Sequence, residues 1–180
     1  MMHHYITRVR DGIALSCAFG LLVAGAAAAE ETATLHVGSS EQARWTETTV
    51  NAAKSPDQQA VLQQGKVATV TGEIVDASCY LQLNKQGAAH VACGASCIRH
   101  GQPIGLLDGQ GQLYLIVPEE HDPRKGGLVS IRDYFADHVG QAATVTGMLT
   151  VRQGYRTLFV AGAPLTPAST TPAAASGEKR

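Results

Sequence analysis

From Lys66 onward the chain alternates between apolar and polar positions. The run Lys66-Val-Ala-Thr-Val-Thr-Gly-Glu-Ile-Val-Asp76 is rich in β-branched residues and is interrupted by Gly72. That period of two predicts a strand, with the glycine marking a bulge or bend. Two further apolar runs, Pro103 to Asp108 and Gln112 to Pro118, flank Gly109-Gln110-Gly111 and predict a hairpin with glycine in its loop. Beyond Gly126-Gly127 the period changes. Ile131, Tyr134, Phe135 and His138 or Val139 recur at helical spacing, so 129–138 reads as a short helix with Ser130 as N-cap and Gly140 as its stop. Ala142 to Arg152, a Gln153-Gly154 turn and Tyr155 to Ala161 return to strand character, again with a mid-strand glycine at 147.

Strand, hairpin, helix, hairpin is the element order of a five-stranded OB barrel, whose helix lies between the third and fourth strands. The fold class expected is therefore mainly β, a small OB-like barrel with one short helix; another small barrel or a sandwich is the alternative. Gly72 and Gly147 hold matching places in the first and fourth strands. The run Gly140-x-Ala-x-Thr-Val-Thr-Gly147 with its following hairpin resembles the closing strands of small OB-fold proteins exported by bacteria, and that resemblance covers residues 66 to 162. It implies a fold and no particular activity.

The ends of the chain read differently. Arg8 and Arg10 precede an almost uncharged run from Ile13 to Ala29, which ends in four alanines before Glu30 and Glu31. This is the pattern of a secretory signal cleaved after Ala29, so the mature protein is expected in the periplasm or secreted, with no membrane span. An uncleaved anchor is the alternative, since about 17 apolar residues lie at the lower limit for a spanning helix. Residues 30–65 form a polar lead-in with one helical patch from Pro56 to Gln64. Trp45, the only tryptophan, either docks this arm onto the domain or stands exposed in a linker. Residues 66–163 make up the domain, and the Pro/Ala/Ser/Thr-rich segment 164–180 is expected to be disordered.

Removal of 1–29 takes away two of 14 basic and one of 15 acidic residues, so the formal charge moves from −1 to −2. A near-neutral chain lacks the basic footprint that nucleic-acid binding requires.

The distinctive chemistry lies in 77–103, a Cys-rich helical insertion after the first strand. Three of the four cysteines, Cys79, Cys93 and Cys97, fall within it; the fourth, Cys17, lies in the apolar run of the signal. On a helix, His90, Cys93 and Cys97 stand at i, i+3 and i+7 and share one stripe, with Cys79 expected to close the site from the end of the strand. A Cys3His set supplies the four ligands of a closed zinc site, and thiolate-rich sites also suit Cu(I). His100 is a spare ligand, or else a histidine at a helix end. Asp76 is placed to orient His90 from behind, or simply ends a strand. His121 and His138 are expected at the surface or in helix packing, and Glu119-Glu120-His121-Asp122 reads as an acidic loop, a solvated turn or a site for a hard cation.

The same cysteines admit two other readings. Cys79 paired with Cys93 or Cys97 would staple the insertion to the barrel and leave one thiol over. Alternatively, Cys93-x3-Cys97 cycles between dithiol and disulfide, with Cys79 as the resolving thiol. The spacing Cys93-x3-Cys97 with a nearby histidine is similar to that of exported copper proteins, namely copper-delivery proteins of cytochrome oxidase assembly and the oxidase's binuclear copper centre. The strand pattern matches neither family's fold. The wider pattern Gly72-x-Ile-x-Asp76-x2-Cys79-Tyr80 … His90-x2-Cys93-x3-Cys97-x3-Gly101-x-Pro103-x-Gly105 resembles that of uncharacterised exported bacterial OB-fold-like proteins, and it implies no activity.

The sequence thus predicts an exported protein that binds Cu(I) ahead of Zn(II) for storage, delivery or sensing, with a metalloprotein or metal transporter as partner. The rival class is a disulfide-stapled interaction module without metal. No nucleophile, general base and orienting partner share a readable spacing, which counts against an enzyme.

Overall fold

The computed structural model describes residues 34–122, 124 and 127–161. The expected signal, the fourth cysteine and the expected disordered tail all lie outside this range. Six strands form one sheet: β1 (Leu35–Val37), β2 (Lys66–Asp76), β3 (Ile104–Asp108), β4 (Leu113–Pro118), β5 (Ala142–Arg152) and β6 (Tyr155–Val160). They are hydrogen-bonded in the order β1-β5-β2-β3-β4-β6, and β6 pairs again with β5. That second pairing closes β2 to β6 into a five-stranded barrel and leaves β1 outside. The β4–β6 and β1–β5 pairs are parallel and the others antiparallel. This is the OB-like barrel that the element order predicts.

Closure requires the long strands to coil, and the mid-strand glycines permit it. A Cβ at Gly72 would lie 2.4 Å from the Leu107 carbonyl oxygen, and one at Gly147 would lie 2.5 Å from that of Phe159. The barrel interior is filled by Ile74, Leu106, Val145, Leu158 and Val160, all essentially inaccessible to water. Burial of each such side chain is worth about 1.5–3 kcal/mol. Across β2 and β5 Thr69 pairs with the buried Thr146 and Thr71 with Thr144, at 2.9 and 2.8 Å.

Helix α5 (Gly127–Asp137) crosses between β4 and β5, as the period predicts, and seats Ile131 and Phe135 in the core. It begins at Gly127, so Ser130 lies within the helix instead of capping it. The propensity of serine for caps is overridden by an earlier start at the glycine pair.

From residue 34 onward the polar lead-in is folded. Helices α1 (Glu47–Ala52) and α2 (Pro56–Gln63) are both N-capped, α2 by a full capping box between Ser55 and Gln58. Trp45 does dock the arm. Its ring meets Phe159 edge-to-face at 5.3 Å, and its Nε1 donates to the Leu62 carbonyl at 2.8 Å. Strand β1 carries no sequence signal of its own, because three residues are too few to show a period. Its Leu35 and Val37 are buried beside β5, while His36 faces outward.

Candidate metal centre

Between β2 and β3 the chain forms α3 (Ala77–Leu83), a single 3-10 turn (Ala88–His90) and α4 (Val91–Arg99). Asp76 ends β2 and starts α3. Its Oδ1 accepts the backbone N–H groups of Ser78 and Cys79, at 2.9 and 3.4 Å, which is N-cap geometry. Cys79 therefore projects from the first turn of a helix, not from the open end of a strand. Asn84 in the left-handed conformation stops α3 and returns the chain.

Backbone ties then hold the loop and α4 against the barrel. The Gly87 N–H donates to Glu73 Oε1 at 2.6 Å, and the His90 N–H returns to the Gly87 carbonyl at 2.9 Å. At the far end the Ala77 N–H donates to the Pro103 carbonyl at 3.0 Å. Helix α4 buries Ile98 against α5, where Arg132 donates to the Ile98 carbonyl at 2.8 Å and Arg99 pairs with Asp137.

This framework brings the thiols, the imidazole and a carboxylate together from four elements, β2, α3, the 3-10 turn and α4. Ligand atoms of Cys79, His90 and Cys93 lie within 4.8 Å of one another, and so do those of Asp76, Cys79 and Cys97. Cys79 belongs to both sets. It sits between an N,S,S face and an O,S,S face.

Burial is graded across the cluster. Asp76 is 0% exposed and His90 4%, Cys79 and Cys97 are half-buried, and Cys93 is exposed. Asp76 Oδ2 and His90 Nε2 are both enclosed without a hydrogen-bond partner. Leaving such groups unpaired costs about 1–3 kcal/mol each.

Gly94 makes room for the imidazole. A Cβ there would lie 3.3 Å from His90 Cδ2, 3.4 Å from Nε2 and 3.0 Å from Val139 Cγ1. The His90 ring thus packs on the bare backbone of α4, one turn along.

Without a metal, Cys79 and Cys97 favour the protonated thiol. The Asp76 carboxylate, by hydrogen bonding to the protonated thiol and aided by burial, pushes Cys79 up to about 12; burial and then Asp76 push Cys97 upward as well. All three cysteines are free thiols. Thiols of raised pKa are poor nucleophiles, the opposite of the lowered values at catalytic redox sites. A cation in the cluster would reverse that preference, since a coordinating thiol is deprotonated outright.

The other polar residues named from the sequence are placed as follows. Asp76 groups with Cys79 and Cys97, and neither its Oδ2 nor His90 Nε2 makes a hydrogen bond among the described residues. His100 is exposed, and its Nδ1 meets the Ser96 carbonyl oxygen at 2.7 Å, as a helix-end residue. His138 packs its ring on Tyr134 at 4.4 Å, and His121 is exposed. The acidic run divides. Asp122 pairs with Arg124, while Glu119 is buried 3% exposed at the end of β4. No cation cluster forms there among the described residues.

The sequence pattern did not reveal the hub position of Cys79 or the role of Gly94. The Asp76-x2-Cys79 spacing, an N-cap signal ahead of a helix, was the available clue to the first. Among the described residues no helix is long and apolar enough to cross a membrane. Comparison of the chain with family models, with curated proteins and with solved structures gives no match. Architecture and side-chain chemistry, a closed OB-like barrel bearing Cys and His groups close enough to hold a metal ion, are what define this protein.

Proposed function

We propose that the protein binds a soft transition-metal ion through Cys79, His90, Cys93 and Cys97, and that it stores, delivers or senses that ion after export from the cytoplasm. One observation carries the reading: three separate elements converge on Cys79, and Asp76 Oδ2 and His90 Nε2 lie enclosed beside the thiols with no hydrogen-bond partner other than those thiols among the described residues. A fold that leaves Asp76 Oδ2 and His90 Nε2 unpaired side by side with thiols has kept donors for something else.

The ligand set favours Cu(I) ahead of Zn(II). Each face of the cluster offers three close ligands, and thiolates with imidazole select soft ions; zinc in a structural site takes four. The exposed Cys93 leaves one ligand at the surface, where an incoming carrier's thiolate or thioether can exchange with it. Export is supported by the cationic start, apolar run and alanine-rich end of residues 1–29. A copper-handling metalloprotein or transporter is the corresponding partner.

The test is metal content and free thiols of the mature protein, purified anaerobically and in air. About one equivalent of copper or zinc, absent from His90→Ala and Cys93→Ser, is expected. A metal-free protein with a stable Cys79 disulfide in both preparations overturns the proposal and supports the stapled module. A mixed disulfide trapped by a single-cysteine variant would instead mark a thiol-exchange protein.

A further inference from the structure

Asp76 stands beside the four Cys/His ligands without belonging to them, and the fold itself uses only half of its carboxylate. Oδ1 caps α3 by accepting the N–H groups of Ser78 and Cys79. Oδ2 is enclosed and, among the described residues, has no hydrogen-bond partner other than the thiols. The residue is 0% exposed, and its backbone is held in the β2–β3 ladder opposite Ile104. A carboxylate confined in this way needs compensating charge.

The groups around it are metal ligands. One oxygen of Asp76 and the sulfurs of Cys79 and Cys97 lie within 4.8 Å of one another, and both cysteines are only half-buried, so an ion can enter from the sulfur side. Tetrahedral zinc holds sulfur and oxygen ligands about 3.5–3.8 Å apart, a spacing that side-chain adjustment brings within reach of this triad. His90 and Cys97 fall in different triads. An ion seated among Cys79, His90 and Cys93 therefore leaves Asp76 and Cys97 beside it.

Building on the proposed Cys/His metal site, we infer that the Asp76–Cys79–Cys97 face is a second site, for a divalent cation of the zinc class, and that the Cys79 thiolate bridges the two ions. Charge decides between one ion and two. A single divalent ion is neutralised by the thiolates of Cys79 and Cys93 and leaves the buried Asp76 uncompensated. Two divalent ions match three thiolates and one carboxylate without excess. Each thiol gives its proton to solvent as it coordinates. The carboxylate oxygen favours a borderline ion over Cu(I), which selects sulfur and imidazole. The second ion binds more weakly than the first, because it shares a thiolate and approaches another cation to about 3.5–4 Å, as in other two-metal sites.

The whole mature protein, reduced and freed of metal, is titrated with Zn(II) against a chromogenic chelator. Two equivalents are expected, the second at least about tenfold weaker than the first. Asp76→Asn keeps an oxygen to cap α3 and removes the charge, and Cys97→Ser removes the other ligand unique to this face; each should bind a single equivalent. Loaded with the spin-half isotope of cadmium, a thiophilic stand-in for zinc, the natural protein should give two resonances that split one another through the shared Cys79 sulfur. Asp76→Asn should give one unsplit resonance. If neither variant folds, stoichiometry and splitting in the natural protein decide alone. A single equivalent in the natural protein, a second equivalent that Asp76→Asn retains, or two resonances without mutual splitting overturns the bridged second site and leaves the first standing. No uptake of metal by the reduced protein overturns both.

Discussion

The barrel wall and the insertion grafted on it solve opposite problems. Along β2 and β5 the threonines pair across the strands, and the core cluster is filled by apolar side chains. Where β2 passes into the insertion, a buried carboxylate and a buried imidazole are left with an open atom each, beside thiols. The barrel shows what a chain does when folding is the whole requirement: it pairs polar groups and fills space. Four enclosed side-chain atoms among the described residues lack a hydrogen-bond partner, and two of them stand beside three thiols, which is what supports the proposed metal site. The barrel in turn makes that arrangement possible, because Asp76 is anchored by β2 and Gly87 by Glu73, so the unpaired atoms cannot turn away to water.

If that division of labour is right, ligands and core respond separately. Cys79→Ser removes the residue common to both faces and is expected to lower metal affinity by more than about a hundredfold, beyond the loss of any outer partner, with thermal unfolding of the metal-free form nearly unchanged. Competition with a chromogenic chelator measures this; a loss of barrel stability in step with metal affinity would break the comparison. Leu106→Ala, in the barrel, should do the reverse and cost about 2–5 kcal/mol in denaturant unfolding while the folded fraction still binds metal.

The next effect is chemical. Asp76 holds the Cys79 thiol up to about 12 in the metal-free protein, above an ordinary value of 9.0. The folded state therefore keeps this proton more tightly than the unfolded chain does. The stability that this preference contributes is complete below pH 9 and is lost as the pH rises from there toward 12. Alkylation by iodoacetamide, followed site by site, should find Cys79 slower than Cys93 at pH 8 and accelerating through the alkaline range. Asp76→Asn should speed Cys79. A Cys79 that reacts fastest at neutral pH would point to redox chemistry instead.

The smallest expected change is Gly94→Ala. A methyl group there lies 3.0 Å from Val139 Cγ1 and 3.3–3.4 Å from the His90 ring, so both side chains must give by a few tenths of an ångström. Metal affinity should fall by about tenfold, comparable to disturbing an outer partner, while helix propensity offsets part of the packing cost. Unchanged affinity would show that His90 is not a ligand.

The barrel was legible because its signals are local and repeated. Alternation over β2 and β5, glycine at Gly72 and Gly147, the Asp108 to Gln112 turn and the helical spacing of Ile131, Tyr134 and Phe135 each announce an element within ten or so residues. Strand β1 escaped that reading because its only support is the neighbouring β5, far along the chain. Ser130 misled for the related reason that capping propensity is a weak prior against the pull of the whole helix.

For the candidate site, composition and spacing were enough to single out Cys79, His90, Cys93 and Cys97, since few arrangements other than a metal site or a disulfide use three cysteines and a histidine within twenty residues. Pairing within the cluster was beyond such reasoning. Whether Asp76 faces the imidazole or the thiols depends on the turn from β2 into α3, and whether His90 can lie on α4 depends on the missing side chain of Gly94. Both are set by distances between elements, which no periodicity encodes. The kinds of ligand are thus written in the order of residues, because chemistry belongs to side chains. Their division into two faces around Cys79 exists only once the barrel closes and brings distant backbone segments within a few ångströms of one another.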